Sequence, residues 1–312
     1  MPIKVSVILC TFNRAAMLRE VLVRLDSQLT LSGLSAELVV VDNNSTDETP
    51  ELCAAYKAQS RVPVKTVRET RQGSNHARNA GIQAAEGEIL VFTDDDVEFS
   101  ASWLVDLVEY MDEHPECDVV TGKITPKFAI SRPNWLSDDV LPFYGDQDLG
   151  NEPTDIIYPK FPVEMNMAIR ARIFQVYGDF NTDLNRDDKT LLSNDGKLFF
   201  YHLSKGGAVV RYIPNAHVFH LIPDNRTNVK WVLRRSFWQG VSDVAFEDLI
   251  NQKSRNLRVW KNILDLLKLM GDVRGNHISP RIIYWRWHGL PISTKVWHAY
   301  KWGVMARKIG WK

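Results

Sequence analysis

The sequence predicts an α/β fold in which a central, mostly parallel β-sheet is flanked by helices and followed by a helical C-terminal extension. Short β-branched runs alternate with longer stretches of helical period over residues 1–124, the pattern of strands buried between layers of helix. Three of those runs end in polar clusters: Thr11-Phe12-Asn13-Arg14, Asp42-Asn43-Asn44 and Asp94-Asp95-Asp96. From Thr227 onward the period is helical, and eight of the ten Trp residues fall there.

Taken in order, strands are expected at residues 3–9, 37–41, 64–68, 88–93 and 118–123, with helices near 15–29, 46–59, 76–85 and 101–113. The runs are continuous enough in apolar residues to be read as buried strands. Ser45 and Glu48 read as a capping box that opens the second helix. Pro63 and Gly87 punctuate the strand starts. Residues 125–163 lose periodicity and gain Pro, Trp and Asp, predicting a long irregular segment over one sheet edge, and such segments are usually functional. A strand at 163–169, a helix after Asn194 and a β segment at 208–220 complete a body over residues 1–225. Residues 226–312 form the extension.

With 312 residues, 45% hydrophobic and 24% charged, the composition is globular and excludes disorder, collagen and coiled coil. The 38 basic and 38 acidic residues balance overall, but residues 230–312 hold 16 Lys/Arg against 5 Asp/Glu. An acidic body is thus joined to a basic tail. Cys10, Cys53 and Cys117 lie far apart without a CxxC pair, so neither a disulfide framework nor a structural zinc site is expected. The first apolar run is too short for a signal peptide, and no stretch approaches about 18 uninterrupted apolar residues. A cytoplasmic protein is expected, peripheral at the inner face of the cell membrane if its tail docks there.

Ligands of parallel sheets bind beyond the carboxyl ends of the strands, where the three polar clusters stand. Three adjacent carboxylates in a low-dielectric site repel one another, and a divalent cation relieves that cost. Oxygen ligands favour Mg2+ or Mn2+ over zinc. A solvated acidic turn is the plain alternative. Dinucleotide, P-loop, zincin and α/β-hydrolase motifs are all missing from the strand ends. A nucleoside diphosphate suits what remains, because a cation bridges phosphate oxygens and neutralises a leaving group.

VSVILCTFNR, ELVVVDNNSTDET, GSNHARNAGI, ILVFTDDD, NMAIRARIF and the segment around Asn194-Asp195 occur in the order seen in family-two inverting glycosyltransferases of the GT-A fold. The resemblance covers roughly residues 3–240, and PNAHVFHLIPDNRTNVKWVLRRSFWQG resembles the bacterial polysaccharide and cell-envelope branch. It implies a nucleotide-diphosphate sugar donor, most often a uridine one, and inverting displacement by an acceptor hydroxyl. Carried over to this chain, Thr11 and Asp42 would hold the base and ribose. Asn13, Arg14, Arg78, Asp94 and Asp95 would complete the nucleotide site. The metal falls to Asp96, commonly with Asp94, while some members use the middle position, Asp95. His220 matches a histidine that completes the metal shell in some relatives, with His217 its nearest rival.

Inversion needs a carboxylate opposite the diphosphate to take the acceptor proton. The resemblance gives that role to Asp195, preceded here by Asn194 where the family usually has Glu. Glu164 and Asn166 correspond to a strand bordering donor sugar and acceptor, and strand alternation would point both the same way. Trp135 could stack on a sugar face or sit in the core. A sugar nucleotidyltransferase and a non-catalytic carbohydrate-binding protein of the same fold are the competing functions.

The tail interleaves Trp with Lys and Arg, as in KVWHAYKWGVMARKIGWK, a chemistry suited to anionic membrane surfaces and lipid-linked acceptors. Packing on the body and a homo-oligomer interface are the alternatives. Nucleic acid is not an expected partner.

Overall fold

The computed structural model describes residues 2–184, 190–251 and 291–308. The first half follows the predicted alternation: β1 (Val5–Thr11), α1 (Ala15–Leu31), β2 (Ala36–Asp42), α2 (Thr49–Gln59), β3 (Val64–Arg68), α3 (Ser74–Ala84) and β4 (Ile89–Asp94). Next come β5 (Val97–Phe99), α4 (Trp103–Glu113), β6 (Val119–Phe128), a 3-10 segment (Asp138–Tyr144), β7 (Thr154–Asp155), β8 (Asn166–Arg170) and α5 (Arg172–Tyr177). After α6 (Asp195–Lys205) and β9 (Val210–Ile222), the helices α7 (Val229–Asn251) and α8 (Ile292–Lys308) follow.

The strands form one nine-stranded sheet in the order β3-β2-β1-β4-β8-β6-β9-β5, with β7 beside β9. Strands β3, β2, β1 and β4 are parallel, β8 runs antiparallel between β4 and β6, and β6 and β9 are again parallel. Every residue of β2 is buried, as expected of a strand covered on both faces. One face packs on α1 and α4 through residues such as Leu18, Leu25, Trp103 and Leu107. The other packs on α3, α5 and α6 through Ala77, Phe174, Phe199 and Phe200. Register brings the site together: Thr11 pairs with Asp42 and Cys10 with Asp94, so three chain segments reach the same sheet edge.

The structure corrects several local readings. The Ser45–Glu48 capping box does not form, and α2 starts only at Thr49. Ser45 Oγ instead accepts the Asn13 amide, while Asp47 accepts the amides of Thr49 and Ala15. This turn ties the loop after β2 to the loop after β1, which satisfies more backbone donors than a cap alone. Three short elements are not predicted by the sequence pattern: β5, β7 and α5. The irregular stretch after β6 holds the 3-10 segment, whose Val140 and Tyr144 pack with Leu136, Ile222 and Val232.

Helices α7 and α8 lie in close contact. A Cβ on Gly303 would fall 1.7 Å from the Phe237 carbonyl oxygen, and one on Gly240 2.1 Å from that of Tyr300. Among the tail Trp residues, Trp238 on α7 is buried, whereas Trp297 and Trp302 on α8 are 50% and 61% exposed. Trp260, Trp285, Trp287 and Trp311 lie outside the described residues. Among the described residues no helix is long and apolar enough to cross a membrane.

Candidate active site

The carboxyl ends of β1 and β4, the start of α3, the segment before β8, the start of α6 and one face of α7 enclose a cavity of about 560 Å3. Nine of the residues singled out from the sequence line it: Thr11, Arg14, Arg78, Asp94, Asp95, Glu164, Asn194, Asp195 and His220.

On the acidic side, Asp95 accepts from Thr11 Oγ1 at 2.7 Å and from Arg14 Nη1, while Arg14 also reaches Asp96 at 3.0 Å. Burial pushes the Asp95 carboxyl up to about 6 even against the Arg14 charge. Burial opposes ionisation of Asp96 as well, but His220, Arg14 and Arg226 hold it below the usual carboxylate range. Asp94 lines the cavity, and its carboxyl is raised by burial. Cys10 beside it is a half-buried thiol that desolvation pushes up to about 12, which makes it a poor nucleophile.

In the same cavity, Arg78 Nη1 donates to Asp195 Oδ2 at 2.8 Å and to Asn75 Oδ1 at 3.1 Å. Glu164 stands beside this pair, and burial followed by the Asp195 charge pushes its carboxyl up to about 7. Gly196 permits that approach, since a Cβ there would overlap Glu164 Oε1. Asn194 adopts a left-handed conformation at φ 73°, which Asn tolerates.

Asn13, Asp42, Asp96, Trp135 and Asn166 lie outside the cavity wall. Asn13, at φ 50°, is exposed and accepts the Thr46 amide at 2.8 Å. Asp42 Oδ1 accepts the Ser45 amide, while Oδ2 is buried without a hydrogen-bond partner. Asp96 lies just beyond the wall, bonded as above. Trp135 is half-buried and packs against the Leu136–Tyr144 cluster rather than lining the cavity. The indole that does line the cavity is Trp231, stacked on Tyr144 at 4.9 Å.

Asn166 is wholly buried: it accepts from Trp103 Nε1 at 2.8 Å and donates to the carbonyls of Lys123 and Ala216. Its amide stitches β6 to β9. Glu164 precedes β8 in a turn, so strand alternation does not relate the two residues. His217 contacts Thr125 Oγ1 at 2.9 Å, outside the cavity.

Among the described residues no three His, Cys, Asp or Glu side chains are grouped to hold a metal ion. Asp96 and His220 nevertheless form a pair of suitable donors. His220 Nδ1 donates to the Tyr144 carbonyl, leaving Nε2 at 3.5 Å from Asp96 Oδ1. A ring nitrogen anchored on a carbonyl is the usual support of a ligating imidazole. The carboxylates of Asp96 and nearby Asp94 are donors of the kind that Mn2+ and Mg2+ take, whereas the imidazole suits Mn2+ better than Mg2+.

The sequence reading missed three contributions. Gly73 and Ser74 bring the uncapped N-terminus of α3 to the cavity, where backbone N–H groups favour an anion. Asn43 holds that approach by accepting the Gly73 amide at 2.7 Å. Trp231, Arg235 and Gln239 come from α7. Their spacing of four residues on one helix face was a readable signal.

A largely parallel sheet with an acidic cluster at its switch edge, closed by an antiparallel β8 and an acid at the start of α6, defines a GT-A glycosyltransferase. The family model for glycosyl transferase family 2 matches residues 6–177, more than half of the chain, and the protein belongs to that family. A glucosyl-dolichyl phosphate glucuronosyltransferase of Haloferax volcanii is 24% identical over 275 residues, covering 87% of this chain and 86% of the relative. The fold matches the mannosyltransferase PcManGT of Pyrobaculum calidifontis, solved with GDP-Man and Mn2+. That match has a TM-score of 0.64 and 19% identity, over 99% of this chain and 89% of that one. It also matches Staphylococcus aureus TarS 1–349 in complex with UDP-GlcNAc, at a TM-score of 0.51 and 19% identity, over 76% of this chain and 66% of that one.

Proposed function

We propose that the protein is a metal-dependent inverting glycosyltransferase that moves a sugar from a uridine diphosphate sugar to a hydroxyl of a glycan or lipid-linked acceptor, in polysaccharide or cell-envelope synthesis. The observation that carries this reading is that the Asp195–Arg78 ion pair lines the same cavity as Asp94 and Asp95. A base and acidic strand-end groups within one cavity are what displacement at a bound sugar would need.

In this reading Arg78 holds the Asp195 carboxylate in place, and that carboxylate takes the acceptor's proton as the acceptor oxygen attacks the anomeric carbon. The bond from that carbon to the diphosphate oxygen breaks, and the diphosphate leaves with the electron pair. Attack from the opposite face inverts the centre. Arg14, Arg226 and the first amides of α3 stand where the negative charge of the diphosphate gathers. The unpaired Asp42 Oδ2 would accept a nucleoside hydroxyl, with Thr11 and Asn43 beside it. Asp96 and His220, with Asp94, would hold Mn2+ or Mg2+, which when bound neutralises the leaving diphosphate. Residues 1–225 would form the catalytic unit, with the wall from α7 completing its acceptor side. A lipid-linked acceptor draws support from the dolichyl phosphate substrate in the name of the Haloferax relative.

Calorimetry of the purified chain against uridine and guanosine diphosphate sugars, with Mn2+ and then with chelator, tests the donor and metal assignments. Binding of a uridine diphosphate sugar that vanishes on chelation is the expected result. Equal binding in chelator overturns the metal requirement, and preference for guanosine overturns the uridine assignment.

A further inference from the structure

The start of α6 is held by the C-terminal helices, through side chains that the catalytic chemistry does not itself require. Asn194 is the residue before α6, a position at which Asn usually caps its own helix, yet it makes no side-chain capping bond. Both ends of its amide are taken by α7 instead. Nδ2 donates to Asp243 Oδ1 at 2.7 Å, and Oδ1 accepts from Gln239 Nε2 at 3.0 Å. The preceding residue is tied down as well, since the Ser193 amide donates to Ser242 Oγ at 3.0 Å.

Asp243 is the hub of this arrangement. Gln239 Nε2 donates to its Oδ1 at 3.0 Å, Tyr300 Oη of α8 donates to its Oδ2 at 2.9 Å, and Lys197 of α6 lies 3.7 Å away. Burial and the Asp243 charge raise the Tyr300 phenol, so it remains a donor. The Gly240 and Gly303 contact brings α8 close enough for that hydroxyl to reach. Asp195 is therefore restrained from two sides, by Arg78 through its carboxylate and by the Asn194 turn through its backbone.

We propose that Asp243, oriented by Tyr300, is a positioning residue for Asp195, so that the C-terminal helix pair is a working part of the active site. The inference rests on Asp195 as the base. Loss of the anchor would let the base drift, and misplacement by about 1 Å costs on the order of 10²-fold in rate. Donor contacts on β1, α3 and β4 would be untouched.

The test uses the full chain with Tyr300→Phe, which deletes one hydroxyl, and Asp243→Asn, which removes the charge and replaces one of the two accepting oxygens by an amide donor among groups that themselves donate. The expected result is a fall in kcat of roughly tenfold for Tyr300→Phe and about 100-fold for Asp243→Asn. Donor KM should stay within about twofold in both, a split that general loosening of the fold would not produce. Tyr300→Phe with unchanged kcat overturns the part played by α8, and a parallel rise in donor KM overturns positioning in favour of a structural role. If Asp243→Asn does not fold, Tyr300→Phe decides alone. Asp195→Asn is measured alongside. Retained turnover there defeats the base assignment, whereas lost turnover there with full turnover in the other two defeats the positioning role.

Discussion

Asp95 and Asp96 are adjacent in sequence and both buried, yet one is pushed up to about 6 and the other held low. The difference lies in neighbours: Asp96 faces Arg14, Arg226 and His220, whereas Asp95 has Arg14 and a hydroxyl. Glu164 shows the same logic in a testable form. Its carboxyl, raised from 4.5 to about 7, binds its proton more tightly in the folded chain than in the unfolded one. Its contribution to stability is full below about pH 4 and is lost as pH rises through 7. Glu164→Gln is therefore expected to stabilise the protein at pH 8 relative to pH 5, by on the order of 2 kcal/mol. Thermal melts of both proteins at the two pH values check this, and an offset independent of pH refutes it.

At the scale of elements, the sheet and its first four helices were legible because each buries a continuous apolar run or stripe. The site elements were legible only where chemistry and strand end coincide, as at Asp94–Asp96. Trp135 and Asn166 show the limit. Both are polar or amphipathic residues in plausible places, and burial among partners from other elements decides their roles. The close approach of α7 and α8 rests on two glycines, which carry no apolar signature, although Val296 and Ala299 also pack there. Gly303→Ala forces a methyl group onto the Phe237 carbonyl and should cost about 1–3 kcal/mol through separation of the helices. A melting temperature equal to that of the parent chain would show that the contact is looser than described.

For the whole molecule, charge is divided between an acidic body and a tail of 16 basic and 5 acidic residues. Trp297 and Trp302 stand exposed on α8, beside Lys295, Lys301, Arg307 and Lys308. The proposed lipid-linked acceptor would be met at an anionic surface by these groups, each basic residue contributing about 1 kcal/mol. Co-sedimentation with vesicles containing phosphatidylglycerol, lost at high salt and missing with neutral vesicles, is the expected outcome. Failure to bind at low salt would leave packing or self-association as the use of the tail.

Sequence alone determined the alternation of the main strands with the first four helices, the acidic strand end and the order of the motifs, because apolar periodicity and strand-end position are local properties. Tertiary structure decided which polar residues share a cavity. Arg78 meets Asp195 across 117 residues, and Asp243 meets Asn194 across 49 and Tyr300 across 57. Such pairings depend on where separate elements come to rest, and no local pattern in the chain encodes them.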